Sequence, residues 1–237
     1  MVLTEEFYIG YSDTNQNLEL SDSAILKMFE DIATMHSEMA GDSMKTTAIR
    51  WFLTAYDVRI NKRPMLDERV VCRTWSHDMR GFIASREFEI YNEDGELAIT
   101  GSSNWARIDT KTGSPQRVTP EMGERYGTEK DRTNYEGPWI AKLREPESYE
   151  LCKEYYIDRN FIDANNHMNN VCYLDLVKCI LPDVIYKKEV TSFEIMYRKA
   201  IEYGKTVTCH YSELADGCFI AIKCEDELMS AVKLGLR

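Results

Sequence analysis

Long apolar runs are missing from this chain. No stretch approaches the roughly 20 residues that a membrane-crossing helix needs, so no spanning segment is expected. The start, Met1-Val2-Leu3-Thr4-Glu5-Glu6-Phe7, has no basic end followed by an apolar stretch, so no signal or transit peptide is expected either. The seven cysteines contain no C-x-x-C pair, which argues against a zinc ribbon and a thioredoxin-type redox pair. Odd in number and scattered through apolar segments, they read as small buried hydrophobes in a reducing compartment, the cytoplasm. Positive charge is also short: 29 Lys and Arg against 40 Asp and Glu give a formal net charge of -11. Nucleic-acid binding, which needs a clustered basic surface, is therefore not expected. An acidic protein partner would need a local basic patch. Lys62, Arg63, Lys178, Lys187, Lys188, Arg198 and Lys199 are loose candidates, although scattered solvated charge is the plainer reading of most of them.

What is present suits a globular enzyme. Hydrophobic residues at 43% and charged residues at 29% argue against long disorder, and 237 residues can bury a sizeable core. The chain reads as a short strand over 4–12, a helix over 21–40, and then several long strands. In the helix, Ile25, Phe29, Ile32 and either Met35 or His36 share one face. Ser21 or Ser23 can cap its start, and Gly41 follows its end. The segments from 51 to 109 are rich in β-branched and aromatic residues, and Asn92-Glu93-Asp94-Gly95 marks a hairpin turn between two of them.

Residues 113–150 break the pattern. They hold Pro115, Pro120, Pro138 and Pro146 with Gly123, Gly127 and Gly137, and read as a linker. The programme then repeats: a strand over 152–158, a helix over 168–181, and strands over 189–200, 204–214, 217–224 and 227–236. Local echoes accompany the order. Asp13-Thr14-Asn15-Gln16-Asn17 matches Asp163-Ala164-Asn165-Asn166-His167 at a spacing of 150, placing Asn17 opposite His167. Glu93-Asp94-Gly95-Glu96-Leu97-Ala98 matches Glu225-Asp226-Glu227-Leu228-Met229. A repeat of this size means two similar modules, neither burying its apolar faces alone. The expected fold is α+β, a tandem (double) hot-dog, with two long helices each wrapped by an antiparallel sheet and both halves side by side in one extended sheet. The expected organisation is an N-terminal module over 1–112, the linker over 113–150, and a C-terminal module over 151–237.

The informative stretch is Asp163-Ala164-Asn165-Asn166-His167-Met168-Asn169-Asn170, at the junction of strand and helix in the second module. Polar residues at 163, 165, 167 and 169 are costly to gather beside an apolar helix without a task. Helix N-termini offer unpaired N–H groups for a developing oxyanion. A carboxylate, an amide and an imidazole beside such donors suit hydrolysis of an activated carbonyl. Each also has a plainer role: Asp163 as a helix cap, Asn165 as a turn former and His167 as a structural hydrogen bonder. Cys172 and Cys179 read as packing residues. His36, His77 and His210 have no supporting constellation. Met28, Met35, Met39 and Met44 read as either an acyl-tunnel lining or ordinary core.

This run resembles the D-x-N-x-H-x-N-N signature of the acyl-[acyl-carrier-protein] thioesterase family. Trp51-Phe52-Leu53-Thr54 leading to Pro64, then Arg73-Thr74-Trp75, Gly95-Glu96-Leu97-Ala98, Ser103-Asn104-Trp105 and Tyr197-Arg198-Lys199 are similar to its further landmarks, over about 4–236. The resemblance implies release of free fatty acid from acyl carrier protein, no metal or organic cofactor, an acyl tunnel shaped by the first module, and a catalytic set of Asp163, Asn165 and His167 in the second. Asn169 and Glu202 are weaker candidates for contact with substrate. The family commonly follows Y-R-x with glutamate and then cysteine or a small residue, where this chain has Ala200 and Ile201. Glu202, two residues on, is a substitute, or else a turn glutamate before Gly204. Acyl carrier protein is the implied partner, and a homodimer is compatible. An acyl-CoA thioesterase, a non-catalytic acyl-thioester sensor and a dehydratase are the rival readings on the same fold.

Overall fold

The computed structural model describes residues 1–43, 45–135 and 142–237, and the chain divides into compact units over 1–140 and 141–237. In the first unit, β1 (Leu3–Tyr8) leads through a 3-10 turn at Tyr11–Asp13 to α1 (Asp22–Met39). The strands β2 (Ile49–Ile60), β3 (Arg69–Arg80), β4 (Ile83–Tyr91) and β5 (Leu97–Asp109) follow. All pairings are antiparallel, in the order β1-β3-β4-β5-β2. In the second unit, β6 (Leu151–Tyr156), a 3-10 turn at Arg159–Phe161 and α3 (Cys172–Ile180) come first. After the short α4 (Asp183–Tyr186) come β7 (Val190–Tyr197), β8 (Thr206–Leu214), β9 (Gly217–Cys224) and β10 (Glu227–Leu236), ordered β6-β8-β9-β10-β7. Strand for strand, the second order repeats the first. This is the hot-dog arrangement: an antiparallel sheet folded around a helix, built twice along one α+β chain.

The first helix follows its sequence closely. Ser21 is its N-cap and accepts from Ala24 N at 3.2 Å, while Gly41, just past the end, takes the left-handed conformation with φ +80. Ile25, Phe29, Ile32 and His36 are all fully buried, whereas Met35 faces out. Each such apolar side chain contributes roughly 1.5–3 kcal/mol by leaving water. Phe29 stacks on Phe88 with ring centroids 4.3 Å apart. Glycine at 101 on β5 permits this approach, since a Cβ there would lie 2.4 Å from the Phe29 ring.

The second helix departs from expectation. It is 9 residues long, half the 18 of α1, and does not start at 168. Met168 is held in a strand-like bridge with Ile162, and its N–H donates to Ile201 O at 2.7 Å. Asn169 Oδ1 then accepts from Val171 N at 3.0 Å, so helical turns begin only beyond it. Leu181 precedes Pro182 and is extended, which stops the helix.

The 113–150 stretch also carries order. It holds α2 (Pro120–Arg125), capped by Thr119, and buries Met122 and Tyr126 in the first unit; Gly137 and Pro138 lie outside the described residues. Tyr126 belongs to a buried polar network that nothing in the sequence pattern announced. Arg86 Nη1 donates to His36 Nδ1 at 2.9 Å and to Thr74 Oγ1 at 3.1 Å, and the Tyr126 ring meets His36 edge-on at 5.5 Å. Burial, with the Arg86 charge beside it, lowers the His36 pKa to about 3.

A pH dependence follows. The folded pKa of His36 lies below its ordinary value of 6.5, so this group's stabilisation is complete above pH 6.5 and is lost as pH falls towards 3. The slope approaches about 1.4 kcal/mol per pH unit in that window. Urea unfolding at pH 7, 5.5 and 4.5 should show the wild type losing more stability than His36→Leu. Parallel profiles would contradict the assignment.

Candidate active site

The loop between the 3-10 turn at Arg159–Phe161 and α3 is organised by one carboxylate. Asp163 Oδ1 accepts from the N–H groups of Asn165 at 2.8 Å and His167 at 3.2 Å, and Asp163 Oδ2 accepts from Asn165 Nδ2 at 3.2 Å. Asp163 N in turn donates to His167 O at 2.8 Å, and Asn166 takes a left-handed φ of 62 to close the loop. Asp163, Asn165 and His167 are all half-buried, and two of the three side chains touch directly. The sequence expectation that these residues gather at one junction is met locally.

Glu202 stands opposite His167 in an isolated antiparallel bridge. Residues paired in this way point to one face, with Cβ atoms roughly 4.5–5.5 Å apart. Ala200 is exposed and Ile201 is buried, with its carbonyl bound to Met168 N. The carboxylate nearest the imidazole on this strand is therefore two residues beyond the family's usual position. Asn169 is occupied in shaping the loop, as described above.

One expectation needs correction. The first helical N–H groups of the second unit do not form an open set of donors: Val171 N binds Asn169 Oδ1, Cys172 N binds Asn169 O, Tyr173 N reaches Asn170 O and Leu174 N binds Val171 O. The short, tightly turned start of α3 uses them itself.

The first unit contains a backbone copy of this loop, and it corrects the register of the repeat. Asn15 Oδ1 accepts from Asn17 N at 2.8 Å and Glu19 N at 3.1 Å; Asn15 N donates to Glu19 O at 2.8 Å, and Leu18 takes a φ of 61. Glu19 bridges Met65 as His167 bridges Glu202. The offset is thus 148 residues rather than 150. The counterparts of Asp163, Asn165 and His167 are Asn15, Asn17 and Glu19, so His167 is not matched by Asn17. Hydrogen bonding, not the shared Asp and Asn letters, defines the match.

Other sequence candidates disperse. Arg63 is no surface cation: its side chain is buried and pairs with Asp22 at 2.5 Å. Lys62 and Lys199 are neutralised by Glu96 and Glu227. Met28 is buried but Met35 and Met39 are exposed, so these three share no single lining; Met44 lies outside the described residues. Cys72, Cys209 and Cys218 are buried as expected, but Cys152 and Cys179 are exposed, and all seven are free thiols. No described helix is long and apolar enough to cross a membrane.

Family models agree with this architecture on both halves. The acyl-ACP thioesterase N-terminal domain matches residues 1–126, and the acyl-ACP thioesterase C-terminal domain matches residues 144–232. The chain belongs to the acyl-ACP thioesterase family. It is 24% identical over 226 residues to the chloroplastic oleoyl-acyl carrier protein thioesterase 2 of Arabidopsis thaliana, a match covering 86% of this chain and 60% of that protein. It thus spans less than two thirds of that relative's length. Among solved structures, an acyl-ACP thioesterase from Bacteroides thetaiotaomicron superposes with a TM-score of 0.88 at 18% identity, covering 100% of this chain and 98% of the other. The 12:0-ACP thioesterase from Umbellularia californica gives the same TM-score at 17% identity, covering 100% and 97%. At such identities these two likenesses speak for the fold alone. Within the family frame, the Asp163 loop falls in the C-terminal domain and its Asn15 copy in the N-terminal domain.

Proposed function

We propose that this chain hydrolyses fatty acyl-acyl carrier protein thioesters, releasing free fatty acid and so terminating chain growth in fatty-acid biosynthesis. The observation that carries this reading is the contrast between the two loops. One backbone design occurs twice, and only the C-terminal copy holds a carboxylate, a carboxamide and an imidazole together. A loop serving structure alone would not need that set, because Asn15, Asn17 and Glu19 hold the same shape without it.

In this reading His167 takes a proton from water, and the water oxygen attacks the thioester carbonyl carbon. The C–S bond then breaks, and the carrier's thiolate regains the proton as thiol. Asn165, with one amide N–H committed to Asp163, keeps its carbonyl and second N–H to orient the water or the acyl oxygen. Asp163 fixes the loop and supplies negative charge beside the reacting centre. Glu202, across the bridge from His167, favours the imidazolium form that appears after proton transfer. The C-terminal module over 151–237 is the catalytic part, and the module over 1–112 shapes the acyl tunnel. Seven free thiols fit a reducing compartment such as the cytoplasm. A homodimer is compatible with this reading.

The test is direct. Purified protein is offered acyl carrier protein thioesters from short to long chain, and the acyl-CoA of each length in parallel, with released fatty acids identified. Release with a clear optimum of chain length, at higher kcat/KM for the carrier-bound substrate, is expected. Preference for acyl-CoA, or binding without hydrolysis, would replace this reading with one of its rivals.

A further inference from the structure

The repeat supplies an internal control for the surface beside the candidate site. In the second unit, Ile157 N donates to Lys205 O at 2.9 Å and Gly204 N to Ile157 O at 3.0 Å; in the first, Ile9 N donates to Glu68 O at 3.0 Å and Asp67 N to Ile9 O at 3.1 Å. Gly204 and Asp67 share the left-handed conformation, with φ of 81 and 70. The 3-10 turns begin at Arg159 and at Tyr11. One scaffold therefore carries two different surfaces. Where the first unit has Tyr11, Asp67 and Glu68, the second has Arg159, Gly204 and Lys205.

The second surface is also aromatic. Tyr156 and Tyr203 are 54% and 47% exposed, too open for core residues of their size. Their rings meet edge-on at 6.5 Å, and the Arg159 guanidinium lies 5.5 Å from the Tyr203 ring centroid. In the first unit Tyr8 is similarly exposed, but its hydroxyl donates to Asp67 at 2.6 Å, so that patch is acidic. Asp158 and Glu202 border the second patch and moderate its charge. Arg159 and Lys205 nevertheless make no ion pair with a described residue, in a chain of net charge -11. The patch lies beside the proposed chemistry: Tyr203 follows Glu202, and Arg159 opens the turn that leads to Asp163.

We infer that Tyr156, Arg159, Tyr203 and Lys205 form the docking surface for the substrate's carrier, an acidic protein that presents its acyl group on a phosphate-bearing arm. This inference rests on the function proposed above. Charge complementarity argues for it: an acidic partner is repelled by the rest of this chain and finds cations at the mouth of the one loop with catalytic groups. The first-unit copy of the patch, bearing Asp67 and Glu68, repels the same partner and directs it to the competent half. Exposed charges at such a rim act mainly on association rate and its salt dependence, while the two tyrosines supply contact area of low conformational entropy.

The test uses the full chain with Arg159→Glu/Lys205→Glu and the milder Arg159→Gln/Lys205→Gln, both checked for thermal unfolding against wild type. The charge reversal should raise KM for acyl carrier protein thioesters by about tenfold or more at low salt, with kcat within about twofold, and should flatten the rise of KM with salt seen in wild type. The neutral pair should fall between. The loss should be at least about fivefold smaller for an acyl-CoA and for an acyl N-acetylcysteamine thioester. An unchanged KM for the carrier substrate overturns the docking surface and leaves the proposed hydrolase activity standing. An equal loss on acyl-CoA overturns it too, because the patch would then read a small phosphate-bearing thiol. Calorimetric titration with carrier protein lacking an acyl group reads docking without any hydrolysis. Weaker binding by the charge-reversed chain supports the surface even if the activity fails, and equal binding rejects it.

Discussion

Asp163→Asn is expected to lower kcat on acyl carrier protein thioesters by roughly 10²–10⁴-fold while leaving the fold and its thermal stability nearly intact. The usual objection to such a variant is that the carboxylate also builds the loop, through its bonds from Asn165 N and His167 N. The first unit answers that objection. Asn15 occupies the corresponding position, and its Oδ1 accepts the same two bonds, from Asn17 N at 2.8 Å and Glu19 N at 3.1 Å. An asparagine therefore suffices to hold this backbone, and what Asp163→Asn removes is charge. His167→Ala removes the proton acceptor and should show a similar loss, whereas the double variant should be little worse than either alone, since the groups act on one step. Near-wild-type turnover in both single variants would discard the catalytic assignment.

Asp22→Ala should destabilise the first unit by about 3–5 kcal/mol, lowering the Tm by roughly 10 °C or more. Asp22 and Arg63 are both buried, with the carboxylate and guanidinium at 2.5 Å, and Arg63 also donates to Leu20 O at 2.7 Å. Deleting the acid strands a cation in a dry setting, which is the costly case; removing both charges is often nearly neutral. The second unit has done that. By the registers of the two loops and their bridges, its counterparts of Asp22 and Arg63 are Asn170 and Ala200, and there the Asn170 carbonyl accepts from the Tyr197 hydroxyl at 3.0 Å. Asp22→Asn/Arg63→Ala should therefore recover more than half of the loss seen in Asp22→Ala. A double variant as unstable as the single one would contradict this account of the pair.

The same pair shows why some features were legible in the sequence and others were not. Strand order and the first helix could be read because alternation, 3.6-residue spacing and capping are local: Ser21, Gly41 and the Ile25-Phe29-Ile32 face each act within a few residues. The repeat was legible as an order of elements. Its register was not, because matching letters aligned Asp13 with Asp163, whereas hydrogen bonds align Asn15 with Asp163, a chemically different residue in the same structural role. The length of α3 was hidden for a related reason. Apolar periodicity runs on from Met168, but a long-range bond to Ile201 O keeps Met168 out of the helix.

The candidate site itself was visible because Asp163, Asn165 and His167 lie within five residues of one another. The role of Glu202 depends on a bridge between segments 35 residues apart, and could only be guessed from strand spacing. The His36–Arg86 network joins residues 50 apart through side chains alone, so it left no trace in any window of the sequence.

The most direct test of the central claim is where the thioester binds. A crystal structure of the Asp163→Asn variant with a non-hydrolysable thioether analogue of acyl-pantetheine should place the acyl carbon next to sulfur within contact of His167 and Asn165. The alkyl tail should then run into an apolar cavity. An analogue seated elsewhere, or one that leaves the Asp163 loop facing only solvent, would contradict the account.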